Sequence, residues 1–415
     1  MQMNEFDVIV AGAGPGGSTT AAYLAKANKN VLLLDKAKFP RDKTCGDALS
    51  GKSMSVIKEL GLVQEIKKLP HATITGVLFS SPSKHVVTIP FKQDDKNREE
   101  GVGYCMRRIY TDNMLFNAAK NFGAKAQEQM QVQEVIFESG KAVGLKVLNL
   151  QTRQEEEFYS KVVVGADGVN SSVAKSVLGK DAELDPAHSC IAIRAYYSGI
   201  SGLTSNIEIH FIDLVQPGYF WIFPLENNTA NVGLGLVQSE LKKRLADKKT
   251  IVSLFNEAIE NDPILKERFK QAKQISPLTG WTLPFGSKKR KVAGDGWVLV
   301  GDAASLVDPF SGEGVGNATY SGRLASQIIL KAFQKQDFSY STLAEYEKRL
   351  WQDLGPELQT SYIMQKIGSI KWLLDRTISK AATDPKIKEM ISDSLANEES
   401  KKQFLNPLFY LKILI

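Results

Sequence analysis

Cysteine is scarce in this chain of 415 residues, which contains only Cys45, Cys105 and Cys190. An odd number of cysteines at wide spacing argues against a disulfide framework and against a CxxC metal site, and it suits a reducing cytoplasm. The four histidines are scattered and show no metal-ligand spacing. We therefore expect no bound metal ion.

Long apolar runs are also missing from the sequence. No stretch approaches the ~18 unbroken apolar residues that are needed to span a bilayer. The amino terminus runs from MQMNE directly into an apolar strand, without the basic region, apolar segment and cleavage site of a secretory signal. We expect a cytoplasmic protein that can associate with the membrane surface.

Neither sign of charge is in strong excess, because 52 Lys and Arg residues face 46 Asp and Glu residues. The basic residues are dispersed, apart from the KKRK run at Lys288 to Lys291. A nucleic-acid reader would show a basic face interleaved with aromatic residues, so we expect no nucleic-acid partner. The KKRK run is interpreted as a solvated loop between strands, and attraction to anionic lipid or to a cofactor phosphate is the alternative.

Glycine, in contrast, is concentrated near the amino terminus. The segment GAGPGG follows the apolar run FDVIV and precedes the helix-forming run STTAAYLAKAN. A strand, a tight glycine turn and a helix amino terminus place backbone donors and the helix dipole against a pyrophosphate. The next strand, VLLLD, ends in an acid that can bind ribose hydroxyls. The predicted cofactor contacts in this unit are Gly12, Gly14, Pro15, Gly16, Gly17, Asp35 and Lys36.

Two later segments also join a strand to a glycine-containing turn. In KVVVGADGVNSSVAK the strand is followed by Asp167 and Gly168, and an ordinary strand end would look the same. In WVLVGDAASLVDPFSGEGVGNATYSGR the strand ends at Asp302, and a glycine-rich turn with Gly312, Gly314 and Val315 opens a helix. Donors at that helix start would stabilise the negative charge of a reduced flavin, and Asp302 would hold its ribityl chain or ribose. Together the three segments predict one discontinuous FAD site.

The order GxGxxG, GADG and GDAA resembles the FAD-dependent oxidoreductases with the para-hydroxybenzoate hydroxylase fold, over at least residues 5 to 330. Within that superfamily, DKTCGDALSGKSMSVIKELGL resembles the cysteine segment of the geranylgeranyl reductases. The segment PGYFWIFP resembles their YxWxFP motif, and GEGVGNA fits the same group. The chain is thus identified as a member of the geranylgeranyl reductase family. The resemblance implies an apolar substrate wall made by Tyr219, Trp221, Phe223 and Pro224.

The resemblance also implies a role for Cys45, which is the candidate catalytic residue. With Gly46 and Ala48, it should lie beside the flavin. A small buried packing residue is the alternative for Cys45. Core packing is likewise the alternative for the aromatic stripe.

The family pattern assigns further FAD contacts along the chain. Asp35 should bind the adenosine ribose, and the backbone of Val132 should contact the adenine. Arg108, rather than Arg107, should contact FAD phosphate or ribityl oxygens. One departure is that Lys175 stands near the arginine that usually follows GADG, so a bidentate contact becomes a point charge.

The predicted fold class is α/β, or α+β overall. It comprises a Rossmann-like FAD-binding domain, an inserted antiparallel-sheet substrate domain and a helical C-terminal region. We assign residues 1–70, 101–185 and 282–330 to the FAD-binding domain, 71–100 and 186–281 to the substrate domain, and 331–415 to the helical region. The charged segments 93–100 and 151–157 are interpreted as an exposed excursion and a hairpin connection.

The resemblance implies saturation of prenyl double bonds in an isoprenoid lipid, a pyrophosphate or a quinone side chain, by hydride transfer from reduced FAD and protonation. The alternatives are a flavin-dependent monooxygenase or halogenase, and a non-catalytic electron carrier. No second glycine-rich βαβ unit for a nicotinamide cofactor is visible in the sequence. We therefore expect either NAD(P)H that binds transiently in a groove of the same fold or a ferredoxin-like protein to deliver the electrons. We expect a monomer whose apolar C-terminal segment, KKQFLNPLFYLKILI, contacts a membrane surface or docks on the core.

Overall fold

Two sheets of eight strands and one of three organise the part of the chain that the computed structural model describes, which is residues 5–91, 103–246, 248–396, 401–406 and 409. The strands are β1 (Glu5–Ala11), β2 (Val31–Asp35), β3 (Ala48–Leu49), β4 (Ala72–Ile74), β5 (Gly76–Ser80), β6 (Val86–Pro90), β7 (Gly103–Cys105), β8 (Lys125–Glu128), β9 (Met130–Glu138), β10 (Lys141–Asn149), β11 (Glu155–Gly165), β12 (Ser189–Ser198), β13 (Asn206–His210), β14 (Gly218–Leu225), β15 (Thr229–Val237), β16 (Lys273–Gln274), β17 (Thr279–Pro284), β18 (Ala293–Gly294) and β19 (Trp297–Leu299).

The helices alternate with the strands in the first half of the chain and dominate its end. They are α1 (Pro15–Lys26), α2 (Gly51–Glu59), α3 (Val63–Lys68), α4 (Arg108–Asn121), α5 (Ser172–Leu178), α6 (Gln238–Ala246), α7 (Ile251–Asn261), α8 (Pro263–Arg268), α9 (Val315–Lys335), α10 (Tyr340–Asp353), α11 (Gly355–Gly368), α12 (Lys371–Thr383) and α13 (Pro385–Ala396).

The first sheet has the order β18-β19-β11-β1-β2-β8, and β10 and β9 extend from β11. Strands β19, β11, β1, β2 and β8 are parallel, and the apolar run of β2 is buried because helices cover this sheet. The register sets Ala11 beside Leu34 and Gly165, and Gly165 beside Leu299. The turns that follow β1, β2, β11 and β19 therefore meet at one edge, where open α/β sheets bind ligands.

The second sheet has the order β16-β12-β15-β14-β13-β5-β6, with β17 on β12, and it is antiparallel except between β13 and β5. One face of β14 packs Phe220 and Ile222 into a core with the side chains of α7 and α8. The other face turns toward the first half of the chain, where β3, β7 and β4 form the small third sheet.

The predicted fold class is confirmed by this mixture of a parallel sheet, an antiparallel sheet and a helical end. Helices α6 to α8 interrupt the region that the sequence indicated as sheet alone. The 151–157 connection is a tight turn, and its last residues, 155–157, already belong to β11. The domain boundaries stay a prediction, and the charged segment 93–100 lies outside the described residues.

Candidate active site

The glycine turn after β1 opens directly into a cavity of about 1790 Å³. Gly12 has a φ of +95°, and a side chain there would collide with the backbone of Ala166 in the turn after β11. Gly14 caps α1 without a side-chain bond, and it borders the cavity with Gly12, Pro15 and Gly16. Gly17 does not line the cavity. A Cβ there would strike the carbonyl of Gly12, so a glycine is needed for this turn, and the predicted FAD contact of Gly17 has no support from this geometry.

The carboxylate of Asp35, at the end of β2, ties this turn to the sheet. Its Oδ2 accepts the N–H of Ala13 at 2.8 Å, and its Oδ1 accepts the N–H of Ala37 at 2.8 Å. A carboxylate has further lone pairs, and those of Asp35 remain for a ribose at the cavity wall. Lys36 and Val132 line the same part of the cavity.

The other two predicted turns reach the same cavity. Asp167 and Gly168 line it, although the Asp167 carboxylate is already engaged in capping α5, where it accepts the N–H of Ser172 at 2.7 Å. Lys175, which stands at the departure from the family pattern, lines the cavity as well. Asp302 follows β19, and its pKa is raised by burial, which Lys43 and Arg108 oppose.

Helix α9 begins at this point with Gly314 as a cap that makes no side-chain bond. Gly312, Gly314 and Val315 line the cavity beside Asp302. The cavity is therefore bordered by two helix amino termini with glycine caps and by two carboxylates at strand ends. Such an arrangement suits a dinucleotide with a charged ring system, so the residues present fit FAD.

Arg108 lies on the cavity wall, and Arg107 points elsewhere. The Arg108 guanidinium donates through Nη2 to Asp112 at 2.8 Å, and Asp112 also accepts from Arg41 at 2.8 Å. Arg107 pairs with Glu226 at 2.9 Å instead. The sequence analysis predicted that Arg108, rather than Arg107, contacts FAD. The position of Arg108 on the cavity wall agrees with this choice, and the contact itself stays a prediction.

Cys45 is held in place by a buried hydrogen-bond network centred on Asn231. The Asn231 amide donates to the carbonyl oxygen of Cys45 at 2.6 Å and to the Asp47 carboxylate at 2.7 Å. Its own oxygen accepts the indole N–H of Trp221 at 2.8 Å. Asp47 also accepts the backbone N–H of Arg108 at 3.1 Å, and burial raises the pKa of Asp47 to about 6. The cysteine loop and the aromatic strand are thus locked together.

The aromatic stripe faces the cavity, as alternation along a strand dictates. Tyr219, Trp221 and Phe223 line it, and the Phe223 ring is so close to Gly46 that a Cβ there would lie 2.9 Å away. The Tyr219 hydroxyl donates to the carbonyl of Ser311. Pro224 is one residue out of step and does not line the cavity, so its predicted contact with substrate has no support from this geometry.

Beyond the aromatic stripe, the cavity is walled by apolar side chains from the second sheet and from the C-terminal helices. These are Val77, Phe79, Ile207, Ile209, Phe211, Met364, Ile367, Leu373, Leu374, Ile378, Ile391 and Phe409. Cys45, Gly46 and Ala48 line the junction between this apolar part and the glycine turns. One continuous cavity thus joins the predicted FAD site to an apolar chamber.

The described part of the C-terminal segment docks on the core. Lys401 pairs with Glu357 at 3.0 Å, the Gln403 amide donates to the carbonyl of Met390 at 2.8 Å, and Phe409 is buried. Residues 407–408 and 410–415 lie outside the described residues.

The KKRK run at Lys288 to Lys291 is not wholly solvated. The guanidinium of Arg290 donates a hydrogen bond to the backbone carbonyl of Asp181 at 3.0 Å.

Lys43 and Glu313 are cavity residues that the sequence analysis missed. The Lys43 ammonium lies 3.4 Å from the centre of the Trp281 ring, and burial lowers its pKa to about 7, with nearby Asp302 opposing the shift. Glu313 accepts the N–H of Gly316 at 3.0 Å, and burial raises its pKa. The sequence offered one signal for each residue: Lys43 lies two positions before Cys45, and Glu313 lies directly before Gly314.

Within the described residues, no group of three or more His, Cys, Asp or Glu side chains has metal-binding geometry. No described helix combines the length and apolarity that crossing a membrane requires.

Comparison with known proteins identifies the family of the chain. A family model described as FAD binding domain matches residues 5–347. Digeranylgeranylglycerophospholipid reductase 2 of Methanococcoides burtonii is 33% identical over 374 residues, which cover 87% of this chain and 84% of that protein. Menaquinone reductase of Mycobacterium tuberculosis is 30% identical over 329 residues, which cover 78% of this chain and 76% of that protein.

A solved structure agrees with these relatives. The geranylgeranyl bacteriochlorophyll reductase-like protein of Thermoplasma acidophilum superposes with a TM-score of 0.82 at 25% identity, and the match covers 97% of this chain and 100% of that one. The family predicted from the cysteine segment and the aromatic motif is confirmed. The chain belongs to the geranylgeranyl reductase family of FAD-dependent oxidoreductases.

Proposed function

We propose that this enzyme saturates isolated double bonds in the prenyl chain of a lipid, either a glycerophospholipid or a quinone. The main support for this proposal is one continuous cavity of about 1790 Å³, which is lined by the glycine turns, by Cys45 and by the side chains of the apolar chamber. Pockets for one small ligand measure roughly 300 to 1,000 Å³, so this cavity has room for a dinucleotide and a long apolar substrate together. The names of the two relatives supply the chemical class of the substrate.

The residues at the glycine turns and strand ends hold the cofactor in this proposal. Gly14 and Gly314 present helix amino termini to the pyrophosphate and to the flavin ring, and Asp35 and Asp302 accept hydrogen bonds from sugar or ribityl hydroxyls. When bound and reduced by the electron donor, FAD would supply a hydride to one alkene carbon, and a proton would go to the other carbon.

The apolar chamber provides the binding energy for the substrate. An isolated alkene has no carbonyl to polarise, so the site must position it accurately and exclude water. Burial contributes ~0.8 kcal/mol per CH₂, so a chain of about twenty carbons gains on the order of 15 kcal/mol before entropic costs. Tyr219, Trp221 and Phe223 form the rigid side of the chamber nearest to Cys45, and we propose that Cys45 contacts the reacting part of the chain.

The test is to incubate chemically reduced, FAD-loaded protein with three substrates: an unsaturated archaeal-type glycerophospholipid, a menaquinone and geranylgeranyl pyrophosphate. Mass spectrometry, after any quinol formed has been reoxidised to the quinone in air, should show a gain of about two mass units for each double bond saturated. A gain of about sixteen would indicate the monooxygenase alternative, and unchanged masses with all three would favour an electron carrier. Protein without reductant is the control.

We also propose that a transiently bound NAD(P)H or a ferredoxin-like protein delivers the electrons, that the protein works as a monomer, and that it acts in the cytoplasm at a membrane surface. Mixing the oxidised protein anaerobically with NADPH, and separately with reduced ferredoxin, tests the first point. Loss of the yellow flavin absorbance identifies the donor. A mass measurement in solution tests the monomer.

A further inference from the structure

Three large apolar side chains lie exposed on helices α11 and α12 and at the junction between them. Ile363 is 37% exposed, Ile370 is 42% exposed and Trp372 is 59% exposed. We refer to these three residues as the α11–α12 patch. Nine large apolar residues of the described chain are exposed, and three of them fall within these ten positions. Ile370 lies between α11 and α12 as the cap of α12, and its N–H donates to the carbonyl of Ile367 at 2.9 Å, which holds it against the last turn of α11.

The same helices form the wall of the apolar chamber. Leu373 and Ile378 are buried on the inner side of α12 and line the cavity, as does Ile367 of α11. Trp372 and Ile370 occupy the outer side. The helix pair therefore has two apolar faces, and the chamber accounts for only the inner one. An indole on the outer face is typical of a membrane interface, where its ring sits among lipid headgroups.

Positive charge surrounds the patch. Residues 363–380 contain Lys366, Lys371, Arg376 and Lys380 against a single acid, Asp375. Asp375 is partly exposed, and its carboxylate accepts the backbone N–H of Ser83 at 2.8 Å. Lys371 is paired with Asp213 at 2.5 Å, so part of the positive charge is offset. Basic residues still outnumber acidic ones within residues 363–380, and Lys366, Lys371 and Arg376 are exposed beside the patch. Exposed basic residues next to interfacial apolar side chains favour an anionic lipid surface.

We propose that the α11–α12 patch docks this enzyme on an anionic bilayer, with Trp372 and Ile370 inserted among the headgroups. Docking places the chamber wall against the reservoir of the apolar substrate. This inference rests on the lipid substrate of the proposed function. The membrane contact is thereby assigned to the α11–α12 patch and not to the C-terminal segment. Phe409, a described residue of that segment, is buried in the core.

The test uses full-length, FAD-loaded protein and sedimentation with vesicles of phosphatidylglycerol and phosphatidylcholine. The double variant Ile370→Ser/Trp372→Ser should lose affinity on the order of tenfold. The wild type should bind vesicles of phosphatidylcholine alone more weakly, and salt should weaken its binding to the anionic vesicles. Phe137→Ser, which removes a side chain that is 43% exposed on β9, is the matched control and should bind like the wild type.

Activity provides a second measurement. The double variant should keep its flavin and its turnover of detergent-dispersed substrate, and it should lose turnover of substrate embedded in vesicles. Equal vesicle binding by wild type and double variant would overturn the inference. So would a wild-type dimer that the double variant abolishes, because a second copy would then cover the patch.

Vesicle binding needs no turnover, so the two proposals fail separately. Wild-type binding that depends on the patch, without any prenyl product, would refute the proposed function alone. Product formation in detergent without vesicle binding would refute the docking surface alone.

Discussion

Replacing Asn231 by leucine should destabilise the protein, and more strongly at pH 8 than at pH 5. Asn231 is fully buried and joins Cys45, Asp47 and Trp221 by three hydrogen bonds. Leucine has a similar size, so the substitution removes the hydrogen bonds with little change in volume. It leaves a carbonyl, a carboxylate and an indole N–H without this partner.

The pH dependence comes from Asp47. Burial raises its pKa from 3.8 to about 6, which disfavours its charged form by about 3 kcal/mol. Between these two values the folded state keeps a proton that the unfolded state has lost, so stability falls as pH rises through this window and then levels off. The Asn231 hydrogen bond lowers the pKa of Asp47, so removing it raises the pKa further and extends the loss to higher pH.

The magnitudes follow from the protonation state of Asp47. At pH 5 the carboxyl is mostly neutral, and the three buried groups that lose this partner cost about 1 kcal/mol or more each, so about 3 kcal/mol in total. At pH 8 the lost hydrogen bond served an ionised group, which adds about 2 kcal/mol. Thermal unfolding followed by circular dichroism in excess FAD, at both pH values, measures the difference. Asn206→Leu, which removes an amide that donates to the Thr204 hydroxyl at 3.0 Å, is the control. An equal loss for Asn231→Leu at both pH values would refute the reasoning.

Three further predictions concern the cavity. Gly14→Val should give folded protein without yellow colour, because the nearest atom to an added Cβ is an Arg41 side-chain nitrogen at 3.8 Å and the new bulk projects into the phosphate region; full flavin content after purification would contradict this. Cys45→Ala should retain FAD while turnover falls or the product distribution changes, and unchanged kinetics would reduce Cys45 to a packing residue. Since the pKa of Lys43 is about 7, its positive charge is lost as pH rises through 7, so FAD should bind more weakly at pH 8 than at pH 6 in a titration. Lys43→Arg, which stays charged, should flatten that dependence; an equally steep dependence in this variant would assign the effect to another group.

The glycine turns could be predicted from the sequence because each is local. A strand, a glycine and an acid within a few residues carry their own geometry, and the parallel register brings Gly12, Asp167 and Asp302 to one edge. Pro224 illustrates the limit of a motif. The period of two along β14 sends it to the opposite face from Tyr219 and Phe223, and that alternation is itself readable in the sequence.

The network around Asn231 could not be predicted. Asn231 and Asp47 are 184 positions apart, and each is an ordinary residue in its own segment. Only the pairing of β14 with β15 brings Asn231 next to Trp221 and beneath the Cys45 loop. The apolar chamber was equally hidden, because its wall combines strands near residue 77 with helices beyond residue 360.

The most direct test of the account is the mass of the product formed by the reduced, FAD-loaded enzyme from a menaquinone or an unsaturated glycerophospholipid. With any quinol reoxidised before the measurement, the wild type should give a gain of about two mass units for each double bond saturated, and Gly14→Val, which should lack FAD, should give none. A gain of about sixteen mass units, or saturation by Gly14→Val at the wild-type rate, would contradict it.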